Sequence, residues 1–242
     1  MRGTRIRSVL LSRQLRLITL IILLLRVVQT VGYVTGAIPV IDYVRLENYQ
    51  TLSLATFVFA PLFLVMALCV VRTYFQVSLL VRLKDVAKVI PSYLLASVAV
   101  SAYFVLVTNL TAALALGVLG VTVDVAVPNL LLCLVVEFLY FLICSALFLI
   151  ASILSQSTII AVLLTGVYFG WDYVAMHAIS VIPKQLSSLG WLVSGMAYYS
   201  PLVKVVPYVA RQLSILVFVV VALYLLIRWR GVEHVIERFF DD

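Results

Sequence analysis

Charged residues are scarce in this sequence. Asp, Glu, Lys and Arg make up 11% of its 242 residues, whereas hydrophobic residues make up 65%. Soluble domains carry roughly 25% charged and about 45–50% apolar residues, so water is not the main solvent of this chain. The composition predicts a single all-α domain over residues 1–242 that is an integral membrane protein with several transmembrane helices.

Residue types that support catalysis or metal binding are equally few. The three cysteines lie in apolar runs without CxxC spacing, and the two histidines, His177 and His234, are far apart. Such cysteines are expected to be small buried hydrophobes, and no metal site is predicted. The chain also lacks a GxxxxGK[ST] motif, so it is not expected to hold ATP itself. We therefore predict no catalytic residues and no cofactor bound by this chain.

Long apolar runs, in contrast, are abundant. Twelve of the seventeen basic residues lie in residues 1–16, in residues 72–91 or in the C-terminal tail from Arg228. The positive-inside rule then places both termini in the cytoplasm, and a basic balance of this kind does not indicate nucleic acid. Six runs are each about long enough for the ~20 residues that a crossing requires. They are Leu17–Ile41, Leu52–Val71, Ser92–Gly120, Pro128–Leu154, Thr158–Ala178 and Arg211–Trp229.

The segments outside these spans differ in character. Residues 1–16 contain five arginines among apolar residues, which predicts a basic helix in the cytoplasmic interface, held by anionic lipid. Ser155–Ser157 reads as a tight inner turn, and residues 230–242 as a short cytoplasmic tail. The loop Ile179–Ala210 is too apolar for a solvated connection, so short helices that dip into the outer leaflet are expected there.

Residues 72–91 form the one sizeable cytoplasmic segment between the first and last spans. At 100° per residue, Phe75, Leu79 and Leu83 share an apolar stripe, and Lys84 lies on the opposite face. Pro91 is expected to end this helix, because the residue before a proline is disfavoured in the α region. An amphipathic helix between two spans can rest on the bilayer or receive force from another protein.

Three ionisable residues lie within the expected spans, namely Arg26, Glu137 and Asp172. At 1.5 Å per residue, Arg26 and Glu137 are each about 13–15 Å from a membrane edge, and Asp172 is about 21 Å from the inner edge. An unpaired charge near the midplane costs at least ~3 kcal/mol, so Arg26 and Glu137 are expected to pair. Two interpretations stay open: a structural pair with snorkelling, or a proton or cation carrier using Glu137 or Asp172.

Glycines recur at GxxxG spacing in two spans. Gly32 and Gly36 lie in the first span, and Gly166 and Gly170 lie in the fifth. Small residues at this spacing let helix backbones approach closely. The pattern is compatible with packing inside one protomer and with contact between two protomers.

The arrangement as a whole resembles the permease subunits of type-2 ATP-binding-cassette (ABC) exporters. The resemblance covers nearly the whole chain and lies in its six spans, cytoplasmic termini, interfacial start, 72–91 helix, tight turn near Ser155 and apolar loop around Tyr199-Ser200-Pro201. One departure concerns the inner loop, where the family usually has an early acidic residue and a glycine. This sequence has Gln76 and Ser78 there.

The resemblance implies a function and its partners. Residues 1–16 and about 73–90 would contact a separate ATPase subunit that holds ATP and Mg²⁺, and two similar permeases would meet through Gly32, Gly36, Gly166 and Gly170. The subunit would reside in the cell membrane of a prokaryote and export an amphipathic compound, peptide or lipid by alternating access. The residues expected to contact the ATPase are Phe75, Gln76, Leu79, Leu80, Arg82, Leu83, Lys84 and Asp85.

A second function follows from the residues themselves. Glu137 and Asp172 would serve an ion- or proton-coupled secondary carrier, and the positions of the inner helix and the outer loop fit an inverted repeat. A membrane-embedded enzyme is not favoured, because no catalytic constellation is found. A copurifying P-loop ATPase distinguishes the exporter from the carrier.

Overall fold

The computed structural model describes residues 12–35, 58–74, 89–118, 127–178 and 205–230. These residues form six α-helices, which confirms the prediction of an all-helical chain. The helices are α1 (Arg13–Val34), α2 (Ala60–Tyr74), α3 (Val89–Val118), α4 (Val127–Ser155), α5 (Thr158–Ala178) and α6 (Val205–Arg230).

Among the described residues, three helices are long and apolar enough to cross a membrane. The qualifying stretches are Ile90–Ala115 in α3, Leu134–Ser155 in α4 and Val209–Trp229 in α6. Two shorter apolar stretches are Ala60–Tyr74, which is α2, and Thr158–Trp171, which lies in α5. Helix α1 carries three arginines along its length, and many of its leucines and valines are exposed, as a lipid-facing surface would be.

Proline marks the beginning of four helices. Pro61, Pro91, Pro128 and Pro207 lie in the first turns of α2, α3, α4 and α6. The first N–H groups of a helix have no acceptor within the helix, so a residue without an N–H is tolerated there. Pro91 therefore lies at the start of α3, whereas the sequence suggested that it ends the preceding helix.

A serine cap sets the beginning of α1. The backbone N–H of Leu15 donates a hydrogen bond of 3.2 Å to Ser12 Oγ, which satisfies one of the free N–H groups of the first turn. Arg13 and Arg16 therefore belong to α1, which begins four residues before the expected first span. The rest of the expected interfacial helix, residues 1–11, lies outside the described part of the chain.

The connection between α4 and α5 is a tight turn. Helix α4 ends at Ser155, and Gln156 adopts a left-handed conformation with φ of 54° that turns the chain away from the helix axis. Ser157 Oγ then accepts a hydrogen bond of 3.5 Å from the backbone N–H of Ile160 at the start of α5. This is the tight turn expected at Ser155–Ser157.

Helix α4 is the centre of the bundle. It packs against α2, α3, α5 and α6, while α1 packs against α2 and α3. Four phenylalanines fill the space between α2, α3 and α4, with ring centroids 4.7–6.4 Å apart. They are Phe59, Phe63, Phe104 and Phe141.

Side-chain contacts fix the relative directions of the first four helices. Gln14 of α1 meets Cys69 of α2, and Tyr93 of α3 meets Ser145 of α4, so each of these pairs is antiparallel. Helices α1 and α3 are parallel, since Thr19 contacts Tyr103 and Arg26 contacts Thr108. The starts of α1 and α3 and the ends of α2 and α4 therefore share one end of the bundle. It carries Arg13, Arg16 and Arg72, and we call it the basic end.

Candidate functional site

Four polar residues meet in the apolar interior of the bundle. Arg26 of α1, Thr108 and Asn109 of α3 and Glu137 of α4 are all buried, and we call them the Arg26–Glu137 cluster. Arg26 lies about 12 Å from the end of α1, and Glu137 about 15 Å from the start of α4, at 1.5 Å per residue. The cluster therefore lies far from the basic end, in the interior of the bundle.

Asn109 holds the carboxylate. Its Nδ2 donates a hydrogen bond of 2.7 Å to Glu137 Oε2 and another of 2.9 Å to the carbonyl oxygen of Val105, one turn earlier in α3. The two N–H groups of the amide are thus both used, and the second bond orients the first. Glu137 is 5% exposed, so its carboxylate depends on protein donors rather than on bulk water.

Arg26 supplies the positive charge of the cluster. Its Nε donates a hydrogen bond of 3.2 Å to the carbonyl oxygen of Thr108, and its guanidinium lies 5.0 Å from the centroid of the Phe59 ring. The ring face and the carbonyl oxygen both stabilise a cation. They partly replace water around the guanidinium of Arg26, whose side chain is only 1% exposed. Arg26 also acts on Glu137 through its charge.

The two intramembrane charges thus belong to one cluster. Their hydrogen bonds run to consecutive residues of α3, Thr108 for Arg26 and Asn109 for Glu137. A direct ion pair between the two side chains stays a prediction. Burial disfavours the charged carboxylate, whereas the hydrogen bond from Asn109 and the charge of Arg26 favour it, so the cluster holds a carboxyl group that can bind a proton or a polar group.

A second polar group lies nearer the basic end, between α3 and α4. Tyr93 Oη donates a hydrogen bond of 2.9 Å to the carbonyl oxygen of Ser145, and Ser145 Oγ donates one of 2.9 Å to Ser97 Oγ. Ser101, one turn further along α3, is 0% exposed, and its hydroxyl has no hydrogen-bond partner among the described residues. We call these four residues the hydroxyl line. The sequence analysis missed them, although Tyr93, Ser97 and Ser101 recur at four-residue spacing.

Aromatic rings separate the two polar groups. Phe141 lies one turn from Glu137 and one turn from Ser145 on the same face of α4. Its ring packs against Phe104 at 4.8 Å and against Phe63 at 4.7 Å between centroids. We call these three rings the aromatic layer. It lies between the hydroxyl line and the Arg26–Glu137 cluster.

Among the described residues, the two α5 glycines predicted at a helix contact have no close neighbour on another helix. A Cβ atom at Gly166 or Gly170 would meet no described heavy atom within 4 Å beyond its own stretch of helix. Gly32 lies half-buried in α1, and Gly36 lies outside the described residues. The choice between packing inside one protomer and contact between protomers stays a prediction.

Other predicted site residues are not placed. The backbone of Asp172 belongs to α5, but its side chain is outside the described part of the structure. The same holds for the whole predicted ATPase contact. Its members are Phe75, Gln76, Leu79, Leu80, Arg82, Leu83, Lys84 and Asp85, which follow the end of α2 and precede α3.

An apolar cavity lies along the α4–α5 contact. Its volume is about 420 Å³, and it is open at the side of the bundle. Thr165 and the hydroxyl of Tyr168 are the polar features of its wall. The remaining lining residues are Leu147, Ile150, Ala151, Leu154, Leu164, Val167 and Trp171.

Neither a metal centre nor a known relative adds to this picture. Within the described ranges, no three His, Cys, Asp or Glu side chains lie close enough together to hold a metal ion. Comparison of the chain with protein-family models, curated proteins and solved structures found no match.

Proposed function

We propose that this chain is the membrane permease subunit of an ABC exporter. The proposed protein acts as a dimer with a separate ATPase subunit, spans the cell membrane six times and has both termini in the cytoplasm. An amphipathic compound, peptide or lipid is the proposed substrate.

The observation that carries the proposal is the layout of the basic end. The ends of α2 and α4 and the starts of α1 and α3 lie there together, beside Arg13, Arg16 and Arg72. Basic residues favour the cytoplasmic side. The amphipathic segment that follows Tyr74 and precedes Val89 thus connects two helix ends on the face where a cytoplasmic ATPase would bind.

The open glycine face of α5 supports a second chain as partner. Gly166 and Gly170 are flanked by the exposed side chains of Leu163, Val167 and Trp171, so the face is both apolar and indented. Helices associate in lipid through close backbone contact at such faces. In the proposed mechanism, closure of the ATPase pushes on the segment between α2 and α3, and the helices re-pack around a path between two protomers.

Purification in a gentle detergent tests the proposal. A P-loop ATPase that copurifies in stoichiometric amount, and whose hydrolysis rises with the permease in nanodiscs, supports the exporter. Purified permease that moves a substrate without any ATPase, driven by an ion gradient, contradicts it. A Gly166→Leu variant serves as a control, because it would alter the dimer and leave the segment between α2 and α3 unchanged.

A secondary carrier is the second candidate function, and the Arg26–Glu137 cluster is the observation that favours it. A carboxylate held by one amide and offset by one arginine at membrane depth suits reversible proton binding. Loss of gradient-driven uptake in Glu137→Gln, with normal folding, supports this candidate. Unchanged uptake contradicts it.

A further inference from the structure

The α3–α4 contact alternates between polar groups and aromatic rings along its length. On one face of α4, Glu137 is followed by Phe141 and then Ser145 at four-residue spacing, and all three are buried. On α3, Ser97, Ser101 and Phe104 follow one another at spacings of four and three residues, and all three are buried. A helix surface that faces lipid needs no such polar groups. The buried polar groups must therefore serve a purpose inside the bundle.

The hydroxyl line begins near the basic end. Tyr93 lies about 6 Å from the start of α3, and its hydroxyl contacts Ser145, which in turn bonds Ser97. The hydroxyl of Ser101 is fully buried and has no hydrogen-bond partner in the described part of the chain. A buried hydroxyl without a protein partner is a position where a water molecule binds, given room and other polar neighbours.

The aromatic layer interrupts this line before it reaches the carboxylate. Ser101 and Asn109 are separated by about 12 Å along α3, and Phe104 lies between them. Phe104 and Phe141 meet edge to face at 4.8 Å, and Phe63 closes the third side. Beyond the layer, Glu137 and Asn109 keep 5% and 9% of their surface exposed.

We propose that the α3–α4 contact is a gated proton path in which Glu137 is the proton-binding site, the hydroxyl line connects it to the basic end, and Phe104 and Phe141 form the gate. Each hydroxyl of the line takes up one O–H bond as it gives up another, so the relay oxygens end unchanged. At the end of the path the proton forms an O–H bond with a Glu137 carboxylate oxygen, and its release breaks that same bond. This inference rests on the carrier as the second candidate function and is independent of the exporter assignment.

The groups around Glu137 fit reversible protonation. Arg26 from α1 offsets the carboxylate charge, and Asn109 from α3 donates to it. Phe59, the residue just before α2, contributes its ring, and α6, which packs along α4, buries Arg211 and Gln212 near its own start. The side chain of Asp172 in α5 is not described.

Passive proton flux into liposomes tests the path. The purified chain is reconstituted with an internal pH-sensitive dye, and a potassium diffusion potential with valinomycin drives protons inward. Phe141→Ser removes the ring and adds a hydroxyl at the gate, so we expect a severalfold rise in proton flux. Phe169→Ser is the matched control, because Phe169 is equally buried but lies on α5 outside the aromatic layer.

Two double variants show which residues the protons use. Phe141→Ser combined with Glu137→Gln, and Phe141→Ser combined with Ser101→Ala, should each return the flux towards the wild-type value. Flux that stays high in the Glu137→Gln combination overturns the proposal, because the protons then bypass the carboxylate. An equal rise in Phe169→Ser also overturns it, since any cavity would then leak.

Folding is checked in the same preparations. Each variant must elute as a single species in detergent. If Phe141→Ser does not, Phe141→Leu is used in its place, because leucine removes the ring but keeps an apolar side chain. No rise in flux in a folded gate variant overturns the gate. That result leaves the exporter assignment untouched, because copurification of an ATPase decides it separately, and gradient-driven uptake in Glu137→Gln decides the carrier.

Discussion

Asn109 and Glu137 are joined by a hydrogen bond of 2.7 Å that connects α3 to α4 in the interior of the bundle. The same amide bonds the carbonyl oxygen of Val105, so it cannot rotate away from the carboxylate without losing both bonds. Since the hydroxyl of Tyr93 joins the same two helices near the basic end, the pair is fixed at two levels. The aromatic layer lies between these two levels.

Removal of the amide should destabilise the bundle. Asn109→Leu leaves a buried carboxylate without its donor, which costs about 1–3 kcal/mol of unfolding free energy. Thermal unfolding in detergent measures the loss. The adjacent Leu110 is 60% exposed, so Leu110→Ala should change stability far less. Equal losses in the two variants would show that the hydrogen bond contributes little.

The two charges of the cluster should be coupled in a double-mutant cycle. Arg26→Leu and Glu137→Leu each leave one buried charge without its counterpart, which is strongly destabilising. The double variant should recover much of the loss, with a coupling energy of about 0.5–3 kcal/mol, because Arg26 acts on Glu137 through its charge. Strictly additive losses in unfolding temperature would mean that the charges do not interact.

The sequence predicted the helices better than it predicted their ends. The bounds of α4 and α5 agree with expectation to within one residue, because apolar length and the Ser155–Ser157 turn define them locally. Helix α6 begins at Val205, six residues earlier than expected. Pro207 lies in its first turn, where proline is tolerated, although proline ends a helix at other positions. The presence of Pro207 alone therefore did not indicate where α6 begins.

The candidate site was only partly visible in the sequence. Arg26 and Glu137 stand out because charged residues are rare in apolar runs. Asn109 gives no such signal, because its amide is uncharged and its partner lies 28 residues away on another helix. The hydroxyl line escaped notice for the same reason: serine and threonine are common in membrane helices, and only packing shows which of them meet.

Substitution of the α5 glycines should separate association from folding. Because a Cβ atom at Gly166 or Gly170 meets nothing described within 4 Å, Gly166→Leu should leave the protomer folded. The leucine would hold apart two backbones that meet at this face, so dimerisation should weaken. Oligomeric state in nanodiscs or by cross-linking measures the effect.

Gly117 provides the control for that experiment. It lies near the end of α3, and a Cβ atom there also meets nothing described within 4 Å. Gly117→Leu introduces the same side chain and the same gain in helix propensity on a different surface. Dimer loss in both variants, or in neither, would remove α5 as the interface.

The exporter assignment depends on contact between the ATPase and the segment that joins α2 to α3. Substitutions that change the charge of this segment test that contact. Arg82→Glu or Leu79→Asp should leave the bundle folded but release the ATPase or uncouple its hydrolysis from transport. A like-charge clash at a protein contact costs several kcal/mol, whereas a basic residue resting on lipid contributes only about 1 kcal/mol. ATPase copurification and substrate-stimulated hydrolysis in nanodiscs are the measurements.

Arg228, an exposed arginine near the end of α6, is the control for Arg82, because it carries the same charge on the last helix. Arg228→Glu makes the same change of charge, so it reports any general effect on membrane attachment or orientation. If the segment transmits force, hydrolysis falls in Arg82→Glu and persists in Arg228→Glu. Full stimulation in both Arg82→Glu and Leu79→Asp would mean that this segment does not couple the two subunits, and the exporter assignment would lose its main support.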